Sequence, residues 1–177
     1  LICGSTSSTS TAQNAGDLGV ASPWGNFRSR GNLTAKFADG EKDSRYMFFT
    51  EGQQQYISDF TNQQEGYLFT KWTNLKDNGE TASNTASYGA ATDFPLFRLA
   101  DVYLMYAEAV VRGGNGGSRE TALGYINALR KRAYGDESGN IKESQLTKEF
   151  IIDERARELY MEGYRRTDLI RFGEFTT

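Results

Sequence analysis

A chain of 177 residues, 38% hydrophobic and 24% charged, has enough apolar material for one packed domain and the composition of a folded chain. Its formal net charge of −3 gives no reason to expect nucleic acid or an anionic membrane surface as a partner. There is no histidine, which removes the commonest general base and metal ligand, and the single cysteine, Cys3, excludes an internal disulfide and a cysteine-rich metal site.

In chain order, residues 1–22 are rich in Ser, Thr, Gly and Ala without periodicity and read as surface loop. Residues 23–37, PWGNFRSRGNLTAKF, carry the best candidate for a ligand site. Trp24 and Phe27 offer apolar faces on which a sugar could stack, Asn26 and Arg28 offer partners for its hydroxyls, and Gly25 lets the segment bend. The same aromatics would serve equally well as a buried loop anchor, and both readings stay open. Asp39, Glu41 and Asp43 faintly echo a calcium loop but lack its following glycine and glutamate, so a solvated acidic turn is expected and no metal. Short β-prone runs follow at Arg45–Thr50 and Tyr67–Trp72, joined by polar connections such as EGQQQ and TNQQEG, with Trp72 expected in a core.

The composition shifts at Asp93–Pro95. Residues 1–93 read as a loop-rich segment with short strands and 94–177 as a helical region, the two forming one domain. Pro95 suits the first turn of a helix running to about Arg112, with Leu99, Val102, Tyr103, Tyr106 and Val110 on one face. GGNGG (113–117) turns the chain, and Ser118 caps a second helix with the stripe Ala122, Ile126, Leu129 and Ala133. The pair has the form of a tetratricopeptide-type hairpin with a long turn. One hairpin cannot bury its apolar face alone, so the chain reads as a piece of a longer protein.

After a polar loop, residues 149–173 run EFIIDERARELYMEGYRRTDLIRFG. Thr147 can cap this helix, Leu146 and Ile151 can form a staple across its start, and Ile152, Ala156, Leu159 and Tyr160 make a stripe. Gly163 allows a break before a short second helix. Opposite charges three or four apart, in Asp153/Arg157, Glu162/Arg166, Asp168/Arg171 and Arg155/Glu158, predict local pairs. With Arg98, Asp101 and Glu108 of the earlier helix, the residues Glu154, Arg155, Arg157, Glu158, Glu162, Arg165, Arg166, Asp168 and Arg171 predict a partly buried ion network. Glu154, Glu158 and Glu162 stack at i, i+4 and i+8, and a carboxylate pair could hydrolyse a glycoside, but arginines crowd these. A structural role is expected, with no catalytic residue and no cofactor.

Three motifs also carry a resemblance. R-x-A-D-x-x-L-M-Y-A-E-A (98–109), an A-x-x-x-I-N-x-L-R helix (122–130) and E-R-A-R-E-L-x-x-E-G-x-R-R-x-D-L-I-R-F-G (154–173) stand in the order found in the SusD/RagB family. The match is good over residues 94–173 and loose before them. The resemblance implies a mainly α fragment of a larger SusD-like fold: a tetratricopeptide-like hairpin plus a C-terminal helix pair, beside a loop-rich segment with short strands. It implies an outer-membrane, cell-surface lipoprotein of Bacteroidota whose lipid anchor lies upstream of this chain. Such a protein captures a nutrient, usually an oligosaccharide, without catalysis and delivers it to a SusC-like TonB-dependent transporter. It transfers no individual binding residue. A peptide- or protein-binding helical-repeat scaffold is the alternative, and a glycoside hydrolase a more distant one.

Overall fold

The computed structural model describes residues 18–19, 27–83 and 91–176. The architecture is mainly helical with one small antiparallel sheet. The chain forms two compact units, Leu1–Ala35 with Met47–Phe94, and Lys36–Tyr46 with Pro95–Thr177. The second contains a segment, Lys36–Tyr46, that the composition shift at Asp93–Pro95 does not reveal.

In the first unit, β1 (Arg28–Ser29), β2 (Phe48–Phe49) and β3 (Tyr67–Phe69) pair in the order β1-β3-β2. Leu68 sits opposite Arg28 on one side and Phe49 on the other, and is fully buried. Phe48 and Phe69 pack across the ladder with centroids 5.7 Å apart, the aromatic cross-strand pairing that stabilises a short sheet. Both expected strands are shorter than their β-prone runs. A single turn of helix, α1 (Gly31–Thr34), follows β1. Trp72 lies past the end of β3, half-buried against Phe94 at 6.0 Å rather than enclosed in a core.

In the second unit, α2 (Leu99–Val111) and α3 (Arg119–Tyr134) form the expected hairpin, and α4 (Lys148–Leu159) packs on α2. Ser118 accepts a hydrogen bond from the Thr121 N–H, and Thr147 one from the Phe150 N–H, so both predicted caps are in place. Leu146 and Ile151 are 1% and 0% exposed across the start of α4. The stripe of α3, Ala122, Ile126, Leu129 and Ala133, is buried as expected. Tyr125 stacks on Tyr103 at 4.2 Å and meets Tyr106 edge-on, fixing the hairpin's register from α3 to α2.

Two expectations fail here. Pro95 lies outside α2, whose N-cap is Arg98. The buried face of α2 is Ala100, Asp101, Leu104, Ala107 and Glu108, whereas Leu99 and Val102 are 62% and 49% exposed. Burial goes to the face whose Ala100, Leu104 and Ala107 join the core and whose Asp101 and Glu108 meet Arg155 and Arg171. Tyr103, Tyr106 and Val110 border the core.

Beyond α4 the chain passes through Met161 and Gly163, both at positive φ, into α5 (Arg165–Phe172). The segment Lys36–Tyr46 lies with the helices. Phe37 meets Tyr46 and Tyr160 edge-on, the Ser44 N–H donates to the Ala133 carbonyl, and the Tyr160 hydroxyl donates to the Arg45 carbonyl. Asp43 is 1% exposed, so the expected solvated acidic turn is wrong at that position. Its carboxylate is needed inside, where it grips the Arg45 guanidinium through two hydrogen bonds.

Candidate functional site

The acids and arginines of α4 meet partners from four other parts of the same unit: the Lys36–Tyr46 segment, α2 with its N-cap, α3 and α5. Glu154, fully buried, accepts from Arg45 Nη1 at 2.7 Å, Arg130 Nη1 at 2.9 Å and Arg157 Nη2 at 2.6 Å. Glu158 accepts from Arg98 Nη1 and Arg132 Nη2, each at 2.6 Å, and from Arg45 at 3.1 Å. Arg98 also reaches both oxygens of Glu162. A second hub centres on Arg155, which joins Asp101 and Asp168, each at 2.9 Å. Arg171 in turn joins Asp168 to Glu108, and Arg112 donates to Glu108 as well. Arg165 donates to the Ile152 carbonyl, and Arg166 lies over the Phe175 ring.

Of the four local pairs expected from spacing, the structure contains Asp168–Arg171. Asp153 pairs with Lys36, Arg157 with Glu154, Arg155 with Asp101 and Asp168, and Glu158 with Arg45, Arg98 and Arg132. The spacing rule describes exposed helix faces, where one partner is enough. A buried carboxylate needs several donors, and these come from other elements. Arg45, Arg130 and Arg132 were missed for that reason. Arg130 and Arg132 stand among the residues of an ordinary polar helix face, and Arg45 stands in a loop.

Burial by itself would raise the Glu158 carboxyl, but hydrogen bonds from Arg132 and Arg98 and the charges of Arg132 and Arg45 outweigh it and hold it at about 2. Glu154 is likewise lowered, burial being overcome by Arg45, Arg157 and Arg130. A carboxyl so firmly ionised has no proton to give near neutrality and accepts one poorly, which is the opposite of what a glycosidase acid requires. Beside the network lies a pocket of about 370 Å³ whose wall includes Arg130, Tyr134, Phe150 and Arg157. Both of these arginines are paired with Glu154, and Tyr134 donates to Asp39 at 2.6 Å. Its two arginines are therefore already answered within the protein.

In the first unit, Trp24 and Asn26 lie outside the described residues. Phe27 is 44% exposed at the start of β1. Arg28 turns its guanidinium onto the loop between β2 and β3, donating to the carbonyls of Phe60 at 2.8 Å, Glu65 at 2.7 Å and Asn62. That loop closes on itself: the Gln54 N–H donates to the Gln64 carbonyl, and the Gly66 N–H to the Gln54 carbonyl, each at 2.7 Å. Inside it the Glu65 carboxylate, on a residue only 6% exposed, accepts from the Asp59 and Ser58 N–H groups, the Ser58 hydroxyl and the Asn62 amide. The Asp59 and Ser58 backbone hydrogen bonds, with the Ser58 hydroxyl, pull the Glu65 carboxyl down to about 2. Outside, Tyr56 and Phe60 are 62% and 71% exposed. Sequence reading treated this loop as a polar connection; two aromatics spaced four apart among amides and hydroxyls were the available signal.

The fold and site define an α-rich chain whose helix pair is locked by buried arginine–carboxylate hubs, with aromatic residues presented on loops of the other unit. The SusD family matches it over residues 7–177, and the chain belongs to that family. It is 47% identical over 121 residues to the starch-binding protein SusD of Bacteroides thetaiotaomicron, which covers 68% of this chain and 19% of that protein. It is 41% identical over 93 residues to the SusD-like protein P25 of Formosa agariphila, covering 51% of this chain and 17% of that one. The aligned residues thus make up less than a fifth of either relative.

Proposed function

We propose that this chain is part of a non-catalytic cell-surface protein that binds a glycan and delivers it to a SusC-like TonB-dependent transporter. The observation that carries the reading is the 47% identity to a protein named for binding starch. Lipid anchoring at the outer membrane and the transporter partnership belong to the same proposal, through family membership. No helix among the described residues is long and apolar enough to cross a membrane. The arginine-saturated carboxylates of α4 agree with a structural use of the acids. Trp24, Asn26 and Phe27 are the proposed ligand contacts, with Arg28 acting through the loop it holds.

The test is calorimetric titration of the full-length protein with maltoheptaose and other neutral oligosaccharides, alongside long incubation and chromatography of the products. The expected result is reversible binding with intact sugar recovered. Release of shorter sugars would favour a hydrolase, and binding of peptides with no sugar binding would favour the scaffold reading.

A further inference from the structure

The loop from Gln54 to Gly66 is built to a higher standard than a connection between two short strands requires. Its ends are pinned together, its turn is organised by the Glu65 carboxylate, and its carbonyls are held by Arg28. Asp59 Oδ1 fixes the next turn by accepting from the Thr61 N–H and hydroxyl at 2.8 and 2.6 Å. With these groups satisfied from within, the loop keeps its shape without burying its own aromatics, and it leaves Tyr56 and Phe60 in water.

The setting of Tyr56 is specific. Its ring lies over Gly31 so closely that a Cβ at that position would collide with it. The ring is thus seated against Gly31, and the residue still has 62% of its surface exposed. Along the same loop the exposed side chains include hydroxyls, amides and one carboxylate, from Ser58, Thr61, Gln63, Gln64 and Asp59. The stretch from Glu51 to Gly66 contains no lysine or arginine.

From this placement we propose that the Gln54–Gly66 loop is a binding subsite for a neutral carbohydrate. Tyr56 and Phe60 stack on the C–H faces of pyranose rings, and the polar groups between them take sugar hydroxyls. The preformed loop lowers the ordering cost of binding, which matters for a weakly held, strongly hydrated ligand. The loop's own residues carry no cation, the Arg28 guanidinium is taken up by the carbonyls of Phe60, Asn62 and Glu65, and Asp59 is at the surface, which together disfavour uronic or sulfated sugars. The proposal rests on the glycan reading above and names where and how part of the sugar is held.

The test uses the full-length protein. Phe60→Ala and Tyr56→Ala are titrated with maltoheptaose, cellohexaose, xylohexaose and tetragalacturonate, with thermal unfolding followed in parallel. Each variant is expected to lose about tenfold or more in affinity for the neutral sugar the parent binds, at unchanged unfolding temperature. Phe60→Trp retains a stacking face, so it is expected to bind and to report sugar through a fluorescence change. Parental affinity in both alanine variants sinks the subsite and leaves the glycan reading standing. A parent that binds none of the sugars sinks both. If acrylamide fails to quench the introduced indole without sugar, another part of the protein covers the loop, and the subsite is overturned independently of any ligand. Loss of affinity together with a lowered unfolding temperature in both alanine variants also overturns it, because the rings are then structural.

Discussion

Glu158 shows at the residue level how this chain uses charge. Three guanidiniums converge on one carboxylate that is almost sealed from water, so its removal takes one acceptor from the buried Arg45, one from Arg98 and both carboxylate hydrogen bonds from Arg132. Breaking such a cluster costs roughly 3–5 kcal/mol, because the remaining charges are desolvated and incompletely answered. Glu158→Ala should therefore lower the melting temperature of the full-length protein substantially, as read by calorimetry. A variant as stable as the parent would show that the cluster contributes little net energy. Glu65 holds its loop by a different route, through backbone N–H groups rather than arginines. Glu65→Ala should speed amide exchange at Ser58, Asp59 and Asn62 while leaving α2–α5 unchanged; unchanged exchange in the loop would show that Arg28 and the backbone hydrogen bonds hold it without Glu65.

At the element scale, caps and periodicity made most of the helices legible, and the exceptions are physically instructive. Ser118, Thr147 and the Ala122-Ile126-Leu129-Ala133 stripe act as local chemistry says they should, because each works within its own helix. The face of α2 was misread because size was weighed above partners: Leu99 and Val102 are bulky and repeat at helical spacing, but Ala100, Leu104 and Ala107 join the core and Asp101 and Glu108 meet Arg155 and Arg171. The two-residue strands β1 and β2 have too little sequence to announce themselves. This difference can be measured. Leu104→Ala, at a fully buried position, should cost about 2–5 kcal/mol, and Leu99→Ala no more than about 0.5 kcal/mol. Denaturant unfolding of the full-length variants would decide it, and equal costs would contradict the observed face. Thr147→Ala should cost about 1 kcal/mol through the lost cap.

At the scale of the whole molecule, the sequence carried the family through three ordered motifs, but not the partition of the chain. No local signal places Lys36–Tyr46 with the helices, since the reason is Arg45 answering Glu154 and Glu158, 109 and 113 residues away. The placement of the loop aromatics was equally hidden, because exposure is settled by what surrounds a residue and not by its type. The arginine hubs give the molecule a particular response to pH. Glu154, Glu158 and Glu108 are all held below the ordinary glutamate range by arginines that overcome their burial. A group whose folded pKa is depressed adds stability that is complete above its unfolded pKa, roughly 4.3, and lost as pH falls through its folded pKa. For Glu158 the folded value is about 2, so the loss falls between about pH 4.5 and 2. With no histidine in the chain, no side chain with an ordinary pKa near neutrality can tilt stability between pH 5.5 and 8. The midpoint of urea unfolding of this 177-residue chain should thus stay level from pH 8 to 5.5 and fall steeply below about 4.5. Glu158→Gln lacks the titrating carboxyl and should start lower but fall less steeply. A parallel decline in parent and variant would mean that other carboxylates govern the acid transition and that the Glu158 hub does not.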